Sequence, residues 1–296
     1  MEWPTIGLAA LIYGGWFAAT LFWRAIPIWL LLPIGGWLVS WHGSLQHEVM
    51  HGHPTRNRRV NDAIGWLPLA LWLPYGVYKL SHLSHHRDEN LTDPLDDPES
   101  FYVTAANWQS FPLPLRVQLE FNQTLLGRVL VGPLFMIGFF LLDEVRRVRA
   151  RQPGRRRIWL AHAIAVGAII VWITVICSMP LWLYLGAFVY VGGALTRIRS
   201  FAEHRFAERH EERTAIVEHG GIFGLLYLNN NLHVLHHLRP AIPWYDLPAL
   251  FRAHREELVA RNGGLVYRDY GDVFRQFFLK PHDKLLHPHH LEDGAS

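Results

Sequence analysis

Apolar and polar positions divide this chain before any single residue is weighed. Thr5–Trp23 is an apolar run of 19 residues, about 28 Å long as a helix and enough for a bilayer core of roughly 30 Å. The turn Arg24-Ala25-Ile26-Pro27 follows, and a second run, residues 28–46, carries the chain back. Residues 61–78 and 129–142 are apolar but short. Pro68 and Pro74 interrupt the first, and Gly132, Pro133 and Gly138 the second. Both predict interfacial segments rather than spans. Two further spans are predicted at 158–177 and 181–199, hinged at Ser178-Met179-Pro180. His82–Ser100 is polar and acidic and should leave the membrane, and residues 255–296 read as a polar cytoplasmic tail. The pattern predicts an all-α membrane protein, one domain over residues 1–296, with four transmembrane helices.

Composition agrees with that pattern. Half of the residues are hydrophobic and 18% are charged, below the roughly 25% of a soluble domain. A net charge of +3 without a nucleic-acid-binding motif argues against a nucleic-acid partner. The single Cys177 excludes an internal disulfide framework. No basic segment precedes the first apolar run, which is too long for a signal-peptide core, so it is expected to be a mature span. With four spans, Arg24 is the only basic residue in the two outer turns, and the remaining Lys and Arg lie on the side of the long loops. The positive-inside rule makes that side cytoplasmic. Arg146, Arg147, Arg149, Arg151, Arg155, Arg156 and Arg157 form one loop there, which fixes topology and meets anionic headgroups.

The chemistry lies in 19 histidines. His47-Glu48-Val49-Met50-His51 places two imidazoles on one helical face, one turn apart. It also matches the zinc-protease helix, in which the glutamate is the general base. Two further clusters, His82-Leu83-Ser84-His85-His86 and His233-Val234-Leu235-His236-His237, have i, i+3, i+4 spacing, so each can turn three imidazoles to one point. All three clusters fall on the inferred cytoplasmic side, near the ends of apolar runs. Together they offer eight nitrogens, more than the four that one tetrahedral zinc uses. Two metals suit them, but imidazole alone does not choose among iron, copper, zinc and nickel.

The order H-x-x-x-H, H-x-x-H-H, H-x-x-H-H resembles the membrane fatty acid desaturase family and its relatives, the alkane hydroxylases and carotenoid ketolases. The likeness runs from about Trp41 to Leu247. It extends to His85-His86-Arg87-Asp88-Glu89-Asn90-Leu91-Thr92-Asp93-Pro94 and to the stretch from Asn231 to Pro243 with its two prolines. The resemblance implies a four-helix transmembrane bundle capped by a cytoplasmic helical region that holds a non-haem di-iron site. It implies two iron ions, with O2 as co-substrate. The implied ligands are His47, His51, His82, His85, His86, His233, His236 and His237, joined by a ninth, His204, just beyond the last span. Some desaturases carry an asparagine four residues before that ninth histidine. Ser200 stands there in this chain, which leaves Asn230 or Asn231 for that role.

Metal-bound imidazoles give their other N–H to a carboxylate or carbonyl, and Glu48, Asp88, Glu89, Asp93, Glu203 and Glu218 are the acidic residues placed to receive it. His42, His53, His210 and His219 are off the spacing and read as outer-layer or surface residues. His162 is expected to bond a backbone group or neighbouring helix, and His254, His282, His287, His289 and His290 to face solvent in the tail.

The reading is an O2-dependent fatty acyl desaturase acting on an apolar lipid chain, with electrons from a ferredoxin-like or similar donor. A hydroxylase or ketolase acting on lipid, alkane or carotenoid is the nearest alternative, because the boxes do not separate these outcomes. An intramembrane zinc protease would use His47, Glu48 and His51 and leave six boxed histidines idle. A metal transporter would want ionisable groups midway through its spans, where little beyond His162 is found.

Overall fold

The computed structural model describes residues 1–86 and 90–291. Its contacts divide the chain into two units, Met1–Lys79 with Pro133–Thr196, and Leu80–Gly132 with Arg197–Ser296. Among the described residues four helices are long and apolar enough to cross a membrane. They are α1 (Trp3–Leu21), α2 (Ile28–Met50), α3 (Arg155–Ile176) and α4 (Leu181–Glu203). Pro4 lies in the first turn of α1, where its missing N–H costs nothing. The stretch 129–142 is interrupted at Val131, where the short helix Leu125–Leu130 ends. A continuous helix runs Gly132–Arg149, because Gly132-Pro133 falls at its start, the one place a helix accepts proline freely.

In the first unit, α2 and α4 approach closely enough to need glycine. A Cβ on Gly35 would lie 2.9 Å from the Ala187 carbonyl oxygen and the Phe188 ring, and one on Gly192 2.9 Å from Val39. Gly36 is tightest: its Cβ would meet Val191 Cγ1 at 2.3 Å and the Val191 backbone carbon at 3.1 Å. Lipid gives helices no hydrophobic reason to associate, so such small-residue contact provides the attraction. Gly36→Ala should therefore cost about 1–3 kcal/mol, the usual penalty of overpacking. A lowered unfolding temperature in detergent is the measurement, and an unchanged one would refute the close approach.

Polar side chains of this unit bond inwards. Trp16 Nε1 donates to Tyr184 Oη at 2.9 Å, and that hydroxyl donates to the Leu69 carbonyl at 2.7 Å. His162 Nε2 lies 2.8 Å from the Leu71 carbonyl. Residues 66–74 are largely irregular, and these two bonds supply what the missing helix leaves unmade. His162 thus does bond backbone.

The second unit holds a two-stranded parallel sheet, β1 (Ile216–His219) with β2 (Val266–Asp269), in register Ile216↔Val266. Ile216, Leu232, Val234, Leu235, Leu247, Phe251 and Leu258 form its core. Residues 255–291 are not a solvated tail. They complete the helix Leu247–Arg261, supply β2 and the helix Tyr270–Phe277, and then dock on residues 93–123. Val103 N–H donates to the Leu285 carbonyl at 2.9 Å, His287 N–H to Val103 at 3.1 Å, and His282 N–H to Gln123 at 2.8 Å. Tyr102 Oη donates to Asp283.

The expectation that five tail histidines face solvent fails for two. His282 and His287 are buried, the first beside Phe201 and Phe277 with Tyr267 Oη 2.8 Å from its Nε2. His290 is half-buried and pairs with Asp93 at 2.9 Å, while His254 and His289 are exposed. Polarity concealed this docking, because the histidines pack as aromatic plates.

Burial lowers the His282 pKa to about 3, against about 6.5 in an unfolded chain. Above pH 6.5 neither state binds the proton, so the group adds no pH dependence. Between 6.5 and 3 only the unfolded chain takes it up, and stability falls with pH. Hydrogen exchange in residues 282–290 is expected to quicken as pH drops from 7 to 5, after correction for intrinsic rates. His282→Phe should flatten that response; an equal response in both proteins would contradict it.

Candidate metal centre

The second histidine box closes the helix Tyr75–His85 and continues to His86; the third occupies the six-residue helix His233–Leu238. Val234 and Leu235 of the latter enter the hydrophobic core, which turns His233, His236 and His237 the other way. All three are buried, as are His82 and His85.

The spacing suggested three imidazoles at one point per box; the structure divides each box. His85, His204, His233 and His237 form one set, with ring nitrogens all within 4.8 Å of one another. His82, His86 and His236 form a second with the same closeness. In the first, His204 Nε2 lies 3.0 Å from both His85 Nε2 and His233 Nε2. In the second, His86 Nε2 is 2.9 Å from His82 Nε2 and 3.0 Å from His236 Nε2. Residues i and i+4 lie only about 40° apart around a helix, so they stay in one set, and the remaining histidine joins the other.

What holds the outer nitrogens orients the rings. His85 Nδ1 is 2.8 Å from Asp97 Oδ1, and His204 Nδ1 is 3.3 Å from the Arg213 carbonyl. Burial pushes the Asp97 carboxyl up, but the His85 imidazole and the Glu99 amide outweigh it and hold it below the usual range. Ionised carboxylate and carbonyl can only accept, so both Nδ1 atoms carry the proton. The two Nε2 atoms face each other at 3.0 Å, and in the neutral rings that a metal requires both are lone pairs. Such a contact repels unless a cation receives both, and imidazoles oriented through Nδ1 are what metal sites use. The donor set fits a metal ion.

His47 and His51 belong to the first unit. They sit in the last turn and at the C-cap of α2, with ring centroids 5.1 Å apart. Glu203 Oε1 collects Arg199 Nε at 2.6 Å and Asn230 Nδ2 at 2.8 Å, and lies 3.4 Å from His233 Nδ1. The other expected orienting groups have different neighbours. Glu218 binds Arg255, Asp93 binds His290, and Asn231 Nδ2 donates to the Val217 carbonyl at 2.7 Å. Glu48 lies 3.9 Å from His53 Nε2. Asp88 and Glu89 lie outside the described residues.

Sequence reasoning missed Asp97 and Glu99, whose side chains reach His85 and His82 at 2.8 and 3.1 Å. The signal was present, since both stand in the acidic loop after box two. That loop's Asp-Pro pairs read as a mark of solvent, and the carboxylate nearer the box was preferred.

The chain matches the fatty acid desaturase family over residues 5–271. It is 26% identical to a chloroplast omega-6 fatty acid desaturase of Brassica napus, over 81% of this chain and 57% of the relative. It is 25% identical to an sn-1 oleoyl-lipid 12-desaturase of Synechocystis, over 82% of this chain and 70% of that one. A fatty acid desaturase of Bacillus subtilis is 20% identical over 70% of this chain and 62% of its own length. The chain spans little more than half the length of the chloroplast proteins it matches.

Proposed function

The chain belongs to the fatty acid desaturase family, and from that premise we propose that it is an integral membrane fatty acyl desaturase with a di-iron centre. One observation carries the reading: imidazole Nε2 atoms that converge on one another while Asp97 and the Arg213 carbonyl face their Nδ1 atoms. One iron is assigned to His85, His204, His233 and His237. The other is assigned to His82, His86 and His236, with His47 and His51 as the remaining ligands in keeping with the family's first box. Bound there, two irons supply the O2 reduction and oxidising power that removal of hydrogen from an unactivated CH2 requires.

The chain's own part is to fix the ligands. Asp97, Glu99 and the Arg213 carbonyl set the imidazole planes, and the Glu203–Arg199–Asn230 group sits behind His233. The substrate is an apolar acyl chain, a class shared with the relatives named for oleoyl-lipid and omega-6 fatty acids. Electrons come from a separate ferredoxin-like carrier. The arginine loop, residues 146–157, supports a cytoplasmic side for the centre by the positive-inside rule, and the membrane proposed is a bacterial inner membrane.

Expression in a host of known lipid profile tests the activity. The expected product is a fatty acid lighter by two hydrogens, by mass spectrometry. A product heavier by one oxygen would make the chain a hydroxylase, and an unchanged profile in a host supplying ferredoxin and iron would count against any oxygenase.

A further inference from the structure

Among the described residues, one more cluster outside the two histidine sets brings ligand-type side chains together, within the first unit. Glu2, Glu48 and His53 offer atoms that all lie within 4.8 Å of one another. Glu2 precedes α1 and Glu48 lies in the last turn of α2, so the cluster sits where one helix begins and its neighbour ends. His53 is 4% exposed. Its Nδ1 is 2.8 Å from Glu2 Oε1. Its buried Nε2 makes no hydrogen bond and faces Glu48 Oε1 across 3.9 Å. The second oxygen of Glu2 is likewise buried without a hydrogen bond.

We propose that Glu2, Glu48 and His53 form a third cation site, separate from the two histidine sets, for a divalent transition ion. The donor set favours it: His53 Nε2 and the second Glu2 oxygen are buried without hydrogen bonds beside the Glu48 carboxylate, and burying polar atoms unpaired is costly. Position favours it too, because the C-terminal end of a helix carries partial negative charge and disfavours Glu48 while favouring a cation. The gap also fits. Bonds of about 2.0–2.2 Å to an imidazole nitrogen and a carboxylate oxygen, opened to an angle wider than tetrahedral, reach the 3.9 Å found. Two carboxylates with one imidazole suit manganese or zinc better than a thiol-seeking ion. Such an ion would clip the start of α1 to the end of α2 that carries His47 and His51. Glu2 N–H already donates to the Pro54 carbonyl there, at 3.0 Å.

The test uses the full-length protein in detergent, its histidine sets first loaded with iron. It is then titrated with Mn2+, with unbound ion read by electron paramagnetic resonance. The wild type is expected to take up one equivalent, and His53→Ala and Glu2→Gln none, with iron content equal in all three. Glu2→Gln is conservative at a partly exposed position, so its loss of uptake cannot be laid to misfolding. Equal uptake by all three proteins, or no uptake by the wild type, overturns the site and leaves an imidazole bridging two carboxylates. Uptake is counted beyond the iron already bound, so the outcome is distinguishable from failure of the di-iron reading.

Discussion

His204→Ala is expected to lose one metal equivalent and to lower desaturation more than about 100-fold, since an outer-layer partner alone is worth roughly 10–100-fold in affinity or activity. His204 is the hub of its set: its Nε2 lies 3.0 Å from the Nε2 atoms of both His85 and His233. It reaches that place because α4 runs without a break to Glu203 and His204 then pairs with Thr214 as an isolated bridge. Alanine leaves that backbone pairing intact and removes the nitrogen between the two neighbours. Metal content by mass spectrometry and product yield in cells should fall together, while His82, His86 and His236 keep their ion. Full metal content with full activity would return His204 to the role of an ordinary helix-end histidine.

Much of this centre was legible in the sequence, because histidine is rare and helical periodicity is strict. The boxes and the ninth position stood out on spacing and resemblance. How each box divides did not, because i, i+3 and i+4 neighbours share a face whether or not they share an ion. Helix geometry keeps i with i+4, but only the Nε2 distances show which lone histidine joins which pair. The C-terminal residues were obscured for another reason. His282 and His287 are polar by type, yet they are buried as aromatic rings beside Phe201, Phe206 and Tyr102. The H-E-x-x-H motif was legible as two ligand-type side chains on one helical face but ambiguous in its glutamate. Family membership sets the zinc-protease role aside, and Glu48 instead faces His53.

Asp97→Asn is expected to weaken metal binding by the His85 set about 10–100-fold, the usual cost of disturbing an imidazole's outer partner. Asp97 accepts three bonds, from His85 Nδ1 at 2.8 Å and Glu99 N–H at 2.9 Å on one oxygen, and from Thr92 N–H at 2.9 Å on the other. An asparagine of the same shape has one acceptor oxygen and one donor NH2 group. Turned one way it sets N–H against Thr92 N–H; turned the other, against His85 and Glu99. Either way a buried donor goes unmet, and the charge that holds the His85 proton on Nδ1 is gone. Glu99→Gln should do less, because Glu99 is 32% exposed and a surface partner is partly replaced by water. Competition with a chelator, followed by metal analysis, measures both variants. Equal affinities for Asp97→Asn and wild type would mean that Asp97 shapes only its loop, and that the His85 tautomer is set by something other than this carboxylate.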